Sequence, residues 1–300
     1  MRDDSVTIWR EEYRPVIEEI MASFLDSRGR MMVAAHRGNW KQAPENSLAA
    51  IQYSIVAGAD MIEIDVHRTS DGALVLMHDE TVDRMTDGTG RIADMTIAEL
   101  RSLRLRQYQG GPCQPLTNYT IPTLEEALIL IRGKAMLNLD KCWDIREEVY
   151  AALLRTDTVD HVLFKSNDSP EEVQYFLRDK IKPPLYMHIL DSTNEPLVHN
   201  LELLFDRIRP QAVEICFEQE DSVLIQPSVL QEIRERNCRL WVNTMWDSLC
   251  GGHTDGASLI DPEQGWQWHR ERGFNMIQTD YTEALIRYLN EQQGTYGWQG

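Results

Sequence analysis

The sequence predicts an α/β protein folded as a (β/α)8 TIM barrel, with a small β-hairpin and loop insertion after the second strand. Two observations carry this. Eight short apolar runs alternate with helical stretches along the chain, the order expected of a parallel sheet closed on itself and ringed by helices. The 300 residues suit one such barrel, and no linker, low-complexity tract or internal repeat divides them. A chain of this size buries roughly 75% of the surface it exposes when unfolded.

In order, residues 1–30 read as a leading helix packed on the barrel, residues 31–292 as the barrel itself, and 293–300 as a C-terminal tail. Within 10–27 an amphipathic pattern puts Val16, Ile20, Phe24 and Leu25 on one side. The strand-like runs are 31–36, 60–66, 135–140, 161–166, 185–190, 212–217, 239–245 and 275–280. Helical stretches fall at 45–57, 123–132, 144–155, 169–179, 196–208, 227–237 and 262–272, with 281–292 closing the chain. In the second run, Met61, Glu63 and Asp65 point one way and Ile62, Ile64 and Val66 the other. Asp71-Gly72 reads as a two-residue turn into a second hairpin arm at 73–79. Paired residue numbers then sum to 143, which sets Asp65 opposite His78 and Glu63 opposite Glu80. Residues 81–122, rich in Gly, Thr and Asp, read as a rim over one side of the barrel mouth.

Apolar content of 42% and charged content of 26% are ordinary for a globular chain. A net charge of −18 argues against nucleic acid and anionic membranes as partners, so any phosphate must be met by a local positive site. Met1-Arg2-Asp3-Asp4 lacks the apolar core of a signal peptide, and no run reaches transmembrane length. Five cysteines (113, 142, 216, 238 and 250) show no CxxC spacing. They read as free thiols in a reducing compartment, and the expected location is cytoplasmic with no stable membrane association.

The chemistry concentrates between Ala35 and Asp79, where His36-Arg37-Gly38, Glu63-x-Asp65 and His78-Asp79 fall within 45 residues. They supply two acid/base groups, a phosphate-binding cation and a carboxylate pair: the parts needed to cleave a small-molecule phosphodiester. Two carboxylates about 4 Å apart repel by ~4 kcal/mol at an effective dielectric near 20, and a divalent cation with oxygen ligands offsets that. Chemistry in such barrels sits at the carboxyl ends of strands. His36 ends the first run, Glu63 and Asp65 the second, and Asp140 the third, sharing a face with Asn138. Asp140 is thus a third carboxylate, its competing reading being a helix N-cap. Three hard oxygen ligands suit one Mg²⁺ or Ca²⁺, and no Cys/His cluster favours zinc.

Ala35-His36-Arg37-Gly38, Ala43-Pro44-Glu45-Asn46-Ser47, Glu63-Ile64-Asp65-Val66, Thr69-x-Asp71-Gly72, Val75-x-x-His78-Asp79 and Asp83-Arg84-x-Thr86-x-Gly88-x-Gly90 resemble the glycerophosphodiester phosphodiesterase family. Ile121-Pro122-Thr123-Leu124-Glu125-Glu126-Ala127 and Ile277-Gln278-Thr279-Asp280 also look like its pattern, and the similarity runs from about residue 31 to 290. The resemblance implies a barrel, an acid/base pair in His36 and His78, metal ligands in Glu63, Asp65 and Asp140, and a phosphate clamp in Arg37. Glu45 and Asn46 join Arg37 as substrate-binding expectations. It implies hydrolysis to glycerol 3-phosphate and an alcohol, with the glycerol 2-hydroxyl attacking and water opening the cyclic phosphate. Sphingomyelinase D-like phospholipases share this site and release the cyclic phosphate, but those are secreted and disulfide-bearing. A catalytically inactive binding barrel would have lost a histidine or ligand carboxylate, and none is lost here.

The family's Glu-x-Lys on the third strand is Asp140-Lys141-Cys142 in this chain, so the shorter carboxylate should move the ion or admit a water. Either Lys141 or Lys165, at the end of the fourth strand, supplies the charge near phosphate. Glu214, Trp241 and Asn243 are inward candidates for the substrate pocket, and His188 reads as a core histidine. The aromatic, Gly-rich stretch from Trp246 to Gly256 follows the seventh strand, where it could cover a choline head or stack on a sugar.

Overall fold

The computed structural model describes the backbone of residues 17–295 and the side chains of 17–292. The strands are β1 (Met32–Ala35), β2 (Met61–Arg68), β3 (Leu74–Leu76), β4 (Met136–Asp140), β5 (Val162–Ser166), β6 (Leu185–Leu190), β7 (Ala212–Ile215), β8 (Arg239–Asn243) and β9 (Met276–Thr279). Their order is β1-β9-β8-β7-β6-β5-β4-β2, and β1 also pairs with β2, closing a parallel barrel of eight strands. All eight predicted runs are barrel strands. β3 lies outside the barrel, antiparallel to the far end of β2.

The helices are α1 (Ile17–Leu25), α2 (Leu48–Ala57), α3 (Ile97–Arg101), α4 (Leu124–Ile131), α5 (Arg146–Thr156), α6 (Pro170–Arg178), α7 (Leu201–Arg207), α8 (Pro227–Glu235), α9 (Asp247–Cys250), α10 (Asp255–Ile260), α11 (Trp266–Glu271) and α12 (Thr282–Thr295). Alternation within each strand separates two cores. Outward residues such as Ile62, Ile64, Val66, Leu137 and Leu139 pack beneath the helices. Inward residues Met32, Met61, Met136, Leu163, Met187, Trp241 and Met276 fill the lower barrel, and Ile17, Ile20 and Phe24 of α1 plug it. Leu25, expected on that apolar side, is exposed, and Val16 lies outside the described residues.

A buried arginine fastens the plug. Arg239, at the start of β8, donates to the carbonyls of Ser23, Phe24, Asp26, Arg30 and Asn275. Three of these belong to the end of α1 and the residue just after it, where carbonyls have no partner within a helix.

The hairpin departs from expectation by one residue. β2 and β3 pair as Val66↔Leu76, His67↔Val75 and Arg68↔Leu74, so paired numbers sum to 142. Thr69 and Ala73 close a three-residue loop in which Gly72 takes φ 84°. Asp71 accepts from Thr69 Oγ1 at 2.6 Å and from the backbone N–H of Ile97 at 3.1 Å, tying the turn to α3. Met77 therefore pairs with Asp65, and Glu80 turns to Arg91 at 3.2 Å, away from Glu63. The chain bends off the ladder after Met77, and that bend brings His78 to the mouth. Residues 81–122 form the expected rim around an apolar core of their own, including Val82, Met85, Ile92, Leu100, Leu105 and Ile121.

Candidate active site

Neighbouring strands in register assemble the carboxylates. Glu63 stands beside Asn138 and Asp65 beside Asp140 across β2 and β4. One oxygen each from Glu63, Asp65 and Asp140 lies within 4.8 Å of the others. Glu63 accepts from the backbone N–H of Arg37 at 2.9 Å. Asp65 accepts from Asn46 Nδ2 at 2.8 Å, while Asn46 Oδ1 accepts from the Asp65 N–H at 3.0 Å. Asp140 pairs with Lys165 Nζ at 2.9 Å and accepts from the Lys141 N–H at 2.7 Å. It caps no helix, since a 3₁₀ turn at Trp143–Ile145 precedes α5.

Burial and crowding set the proton affinities. Burial, then the charges of Asp65 and Asp140, lift Glu63 well above the carboxylate range. Asp65 rises to about 7 by burial and by Asp140. For Asp140 burial pushes the same way, but the Lys165 ammonium outweighs it and holds the carboxyl at about 2. Two of the three carboxylates thus want more positive charge than the protein supplies. Three clustered oxygens in that condition fit a hard divalent cation.

Each histidine is held through Nδ1 by its own aspartate. His36, just past β1, donates to Asp280 Oδ1 at 2.8 Å, and Trp40 Nε1 donates to the same oxygen at 2.7 Å. His78 donates to Asp79 Oδ1 at 2.7 Å. Asp79 is gripped by Arg84 at 2.7 and 3.0 Å, and Arg84 reaches Glu45 at 2.6 Å. Both imidazoles thereby leave Nε2 to exchange protons. Burial lowers both from the ordinary histidine value, with the aspartates pulling the other way.

Behind Asp280 stands Asp255, whose carboxylate accepts from Thr244 Oγ1 (2.7 Å), Thr279 Oγ1 (2.7 Å), Trp266 Nε1 (2.8 Å) and the Asp280 N–H (2.9 Å). Burial raises this carboxyl to about 6 despite those donors. The carboxylate joins the ends of β8 and β9 and fixes the backbone from which Asp280 reaches His36.

Arg37, Asn46 and Lys141 all adopt left-handed backbone at φ 54°, 57° and 56°. Such residues concentrate at functional sites, where the surroundings hold them in place. Gly38 between them is obligatory, because a Cβ there would meet the Ala50 backbone at 2.9 Å at φ 77°. Arg37 pairs with Glu45 at 3.1 Å and lies 3.7 Å from Asp65, yet its buried Nε has no hydrogen-bond partner among the described residues. The curl at Lys141 ends β4 and leaves that side chain exposed, its charge bearing on Asp65 and His78.

Several expected substrate contacts prove to have partners inside the protein. Glu45 is clamped between Arg37 and Arg84, and Asn46 is spent on Asp65. Lys165 bridges Asp140 to Glu214 at 3.3 Å, Glu214 accepts from Asn243 at 2.9 Å, and Trp241 donates to Asn243 at 2.9 Å. Trp241 is fully buried in the lower layer, where it shapes the floor rather than the pocket. His188 faces outward against Tyr186 as a core histidine. Sequence reasoning assigned no role to Asp280, Asp79, Arg84, Trp40 or Asp255. Asp79 carried a signal, adjacency to His78, and Asp280 another, its place in Ile277-Gln278-Thr279-Asp280; Asp255 carried none until the chain closed.

The family model described as the Glycerophosphoryl diester phosphodiesterase family matches residues 36–284. The chain is 44% identical over 205 residues to the glycerophosphodiester phosphodiesterase of Caldanaerobacter subterraneus, covering 62% of this chain and 81% of that one. It is 40% identical over 146 residues to glycerophosphodiester phosphodiesterase 1 of Bos taurus, covering 47% of this chain; the match spans 41% of the bovine protein's length. Among solved structures, a glycerophosphoryl diester phosphodiesterase from Parabacteroides distasonis superposes with a TM-score of 0.70 at 23% identity over 93% of each chain. A phosphodiesterase from Oleispira antarctica, solved with the product sn-glycerol-3-phosphate, gives 0.63 at 23% identity over 87% of this chain and 97% of that one.

Proposed function

Since the chain belongs to the glycerophosphoryl diester phosphodiesterase family, we propose that it hydrolyses a glycerophosphodiester to glycerol 3-phosphate and an alcohol, using His36 and His78 for proton transfer. The observation that carries this is the pair of imidazoles, each fixed by a carboxylate at Nδ1, on either flank of a carboxylate cluster.

Glu63, Asp65 and Asp140 would hold one divalent cation, Mg²⁺ or Ca²⁺, which when bound supplies positive charge against the phosphoryl oxygens. Arg37 adds its unpartnered Nε–H, and Lys141 an ammonium free to follow the phosphate. One histidine takes the proton of the attacking glycerol 2-hydroxyl at Nε2 while the other gives its Nε2 proton to the departing alcohol. Each transfer is worth on the order of 10²–10⁴-fold. Water then opens the cyclic phosphate with the two roles exchanged. Asp280 and Asp79 stabilise each imidazolium as it forms. Lys165 and Glu214 act beneath, holding Asp140 in place.

The test is phosphorus NMR of glycerophosphocholine turnover by purified protein under Mg²⁺, Ca²⁺ and chelator, with His36→Ala alongside. Glycerol 3-phosphate that vanishes with chelator and in the variant supports the reading. A cyclic phosphate that accumulates without opening would replace hydrolysis with the sphingomyelinase D-like outcome.

A further inference from the structure

A cavity of about 760 Å³ opens on the outer wall of the barrel, between α8 and the end of α11. Ile225 and Leu230, both buried, give it an apolar floor. Three exposed cations line it: Arg234 on α8, Arg272 just past α11, and Arg28 just beyond α1. No lining residue belongs to the carboxylate cluster or to either histidine–aspartate pair.

These arginines lack acids of their own. Among the described residues none of the three forms an ion pair, whereas the exposed Arg68, Arg101, Arg155 and Arg207 all do. The carboxylates along the same walls are turned to other partners. Glu220 lies 3.2 Å from His253 Nε2, Glu235 accepts from Gln231 at 2.8 Å, and Glu271 accepts from Gln267 at 3.0 Å. Two of the cations are also held in place. Arg272 sets its guanidinium 3.4 Å from the centre of the Trp268 ring, on which His253 stacks with 3.6 Å between centroids. It spends one N–H on the Trp268 carbonyl at 3.3 Å and keeps the others. Arg234 rests against the backbone at Gly273, where φ is 90° and a Cβ would meet its Nη1 at 2.7 Å. The start of α8 at Gln226 and Pro227, uncapped by any side chain, borders the same space and adds the positive end of a helix dipole.

We propose that this groove binds a small phosphate anion carrying two or more charges. One exposed guanidinium holds a single charge weakly in water, so the ligand must meet two or three of them together. Phosphate oxygens match the planar guanidinium fork, with two parallel N–H donors to each arginine, and a halide does not. The net charge of −18 makes the surface at large repel such an anion, which leaves the local cluster to select it. The inference does not depend on the diesterase reading: it concerns another face of the barrel and holds whatever the mouth cleaves.

The test titrates the protein in chelator with inorganic phosphate and with pyrophosphate, holding ionic strength constant with sodium chloride. Chelation keeps divalent cations from drawing the anion to the carboxylates at the mouth. Trp268, in contact with Arg272, should report binding as a saturable change in tryptophan emission, and calorimetry should give the same midpoint. Pyrophosphate should bind about tenfold more tightly than phosphate, and Arg234→Gln and Arg272→Gln should each weaken it by about tenfold. Both side chains are exposed, and unchanged melting temperatures without phosphate check that the variants fold. A response that chloride alone reproduces at the same ionic strength is screening and overturns the proposal. Pyrophosphate bound with full affinity by the Arg234→Gln, Arg272→Gln double variant sits elsewhere, and overturns it as well.

Discussion

The two histidines make the same contact in opposite settings. His36 reaches an aspartate 244 residues away, across the seam where β1 meets β9, and its side chain is 5% exposed. His78 uses the next residue in the chain, on a rim with its own apolar core, and is 32% exposed. The first pair exists because a barrel closes. The second exists because a local bend forms, and it is secured to the barrel through Arg84 and Glu45. Matching chemistry thus rests on unequal foundations: the barrel half is rigid and desolvated, the rim half partly wet and tethered.

The largest effects should come from removing either ring. His36→Ala and His78→Ala should each cut kcat on the order of 10²–10⁴-fold, with the double variant little worse than the poorer single one. A His78→Ala enzyme that keeps most of its rate would break the symmetry of roles outright. Next come the aspartates. Asp280→Asn should lower kcat by at least about tenfold, because among the described residues the buried His36 has only Asp280 to fix its tautomer. Asp79→Asn should cost less, since water reaches His78. Equal losses would show that exposure does not separate the halves.

A smaller effect should follow loss of the tether. Arg84→Met should destabilise the rim by about 1–3 kcal/mol, read as faster amide exchange across residues 81–122 with β2 and β4 unchanged. The smallest effect is in pH. Asp65, lifted from its ordinary value of 3.8 to about 7 by burial and by Asp140, favours folding while protonated. Its contribution is whole below pH 3.8 and is lost as pH rises through 7. Metal-free protein should therefore melt at lower temperature at pH 8 than at pH 5. A divalent cation should reverse that slope, and Asp65→Asn should reduce it to the part that the likewise raised Glu63 contributes. A slope unchanged in Asp65→Asn would assign it elsewhere.

The contrast between the halves also marks what could be read from the chain alone. Barrel strands are legible because burial on both faces writes apolar runs, and the end of each run is where chemistry collects. Glu63, Asp65 and Asp140 followed from period-two alternation and strand ends. The hairpin register did not, because Asp71-Gly72 has the form of a two-residue turn. Its true length depends on Thr69 Oγ1 and on the Ile97 N–H, groups met only in three dimensions. Asp255, at the start of a helix, is indistinguishable in sequence from a surface residue, and the Ile277-Gln278-Thr279-Asp280 pattern did not say that Asp280 would hold His36. Arg239 looks like an exposed cation until α1 is seen lying across it.

The seam between β1 and β9 also gives the site a history in time. A ribosome adds about 5–20 residues per second. The carboxylates, complete by Asp140, and the rim before them can form while the chain is still growing, since β2 and β4 are neighbours in the barrel and both precede residue 141. His36 must wait for the last barrel strand, because its partner lies 244 residues downstream. For roughly 7–30 s, at that rate, the nascent chain holds the carboxylate cluster without both histidine–aspartate pairs. Closure of the barrel is then the event that completes the second pair, so a chain cut short of Asp280 should lack the proposed activity altogether.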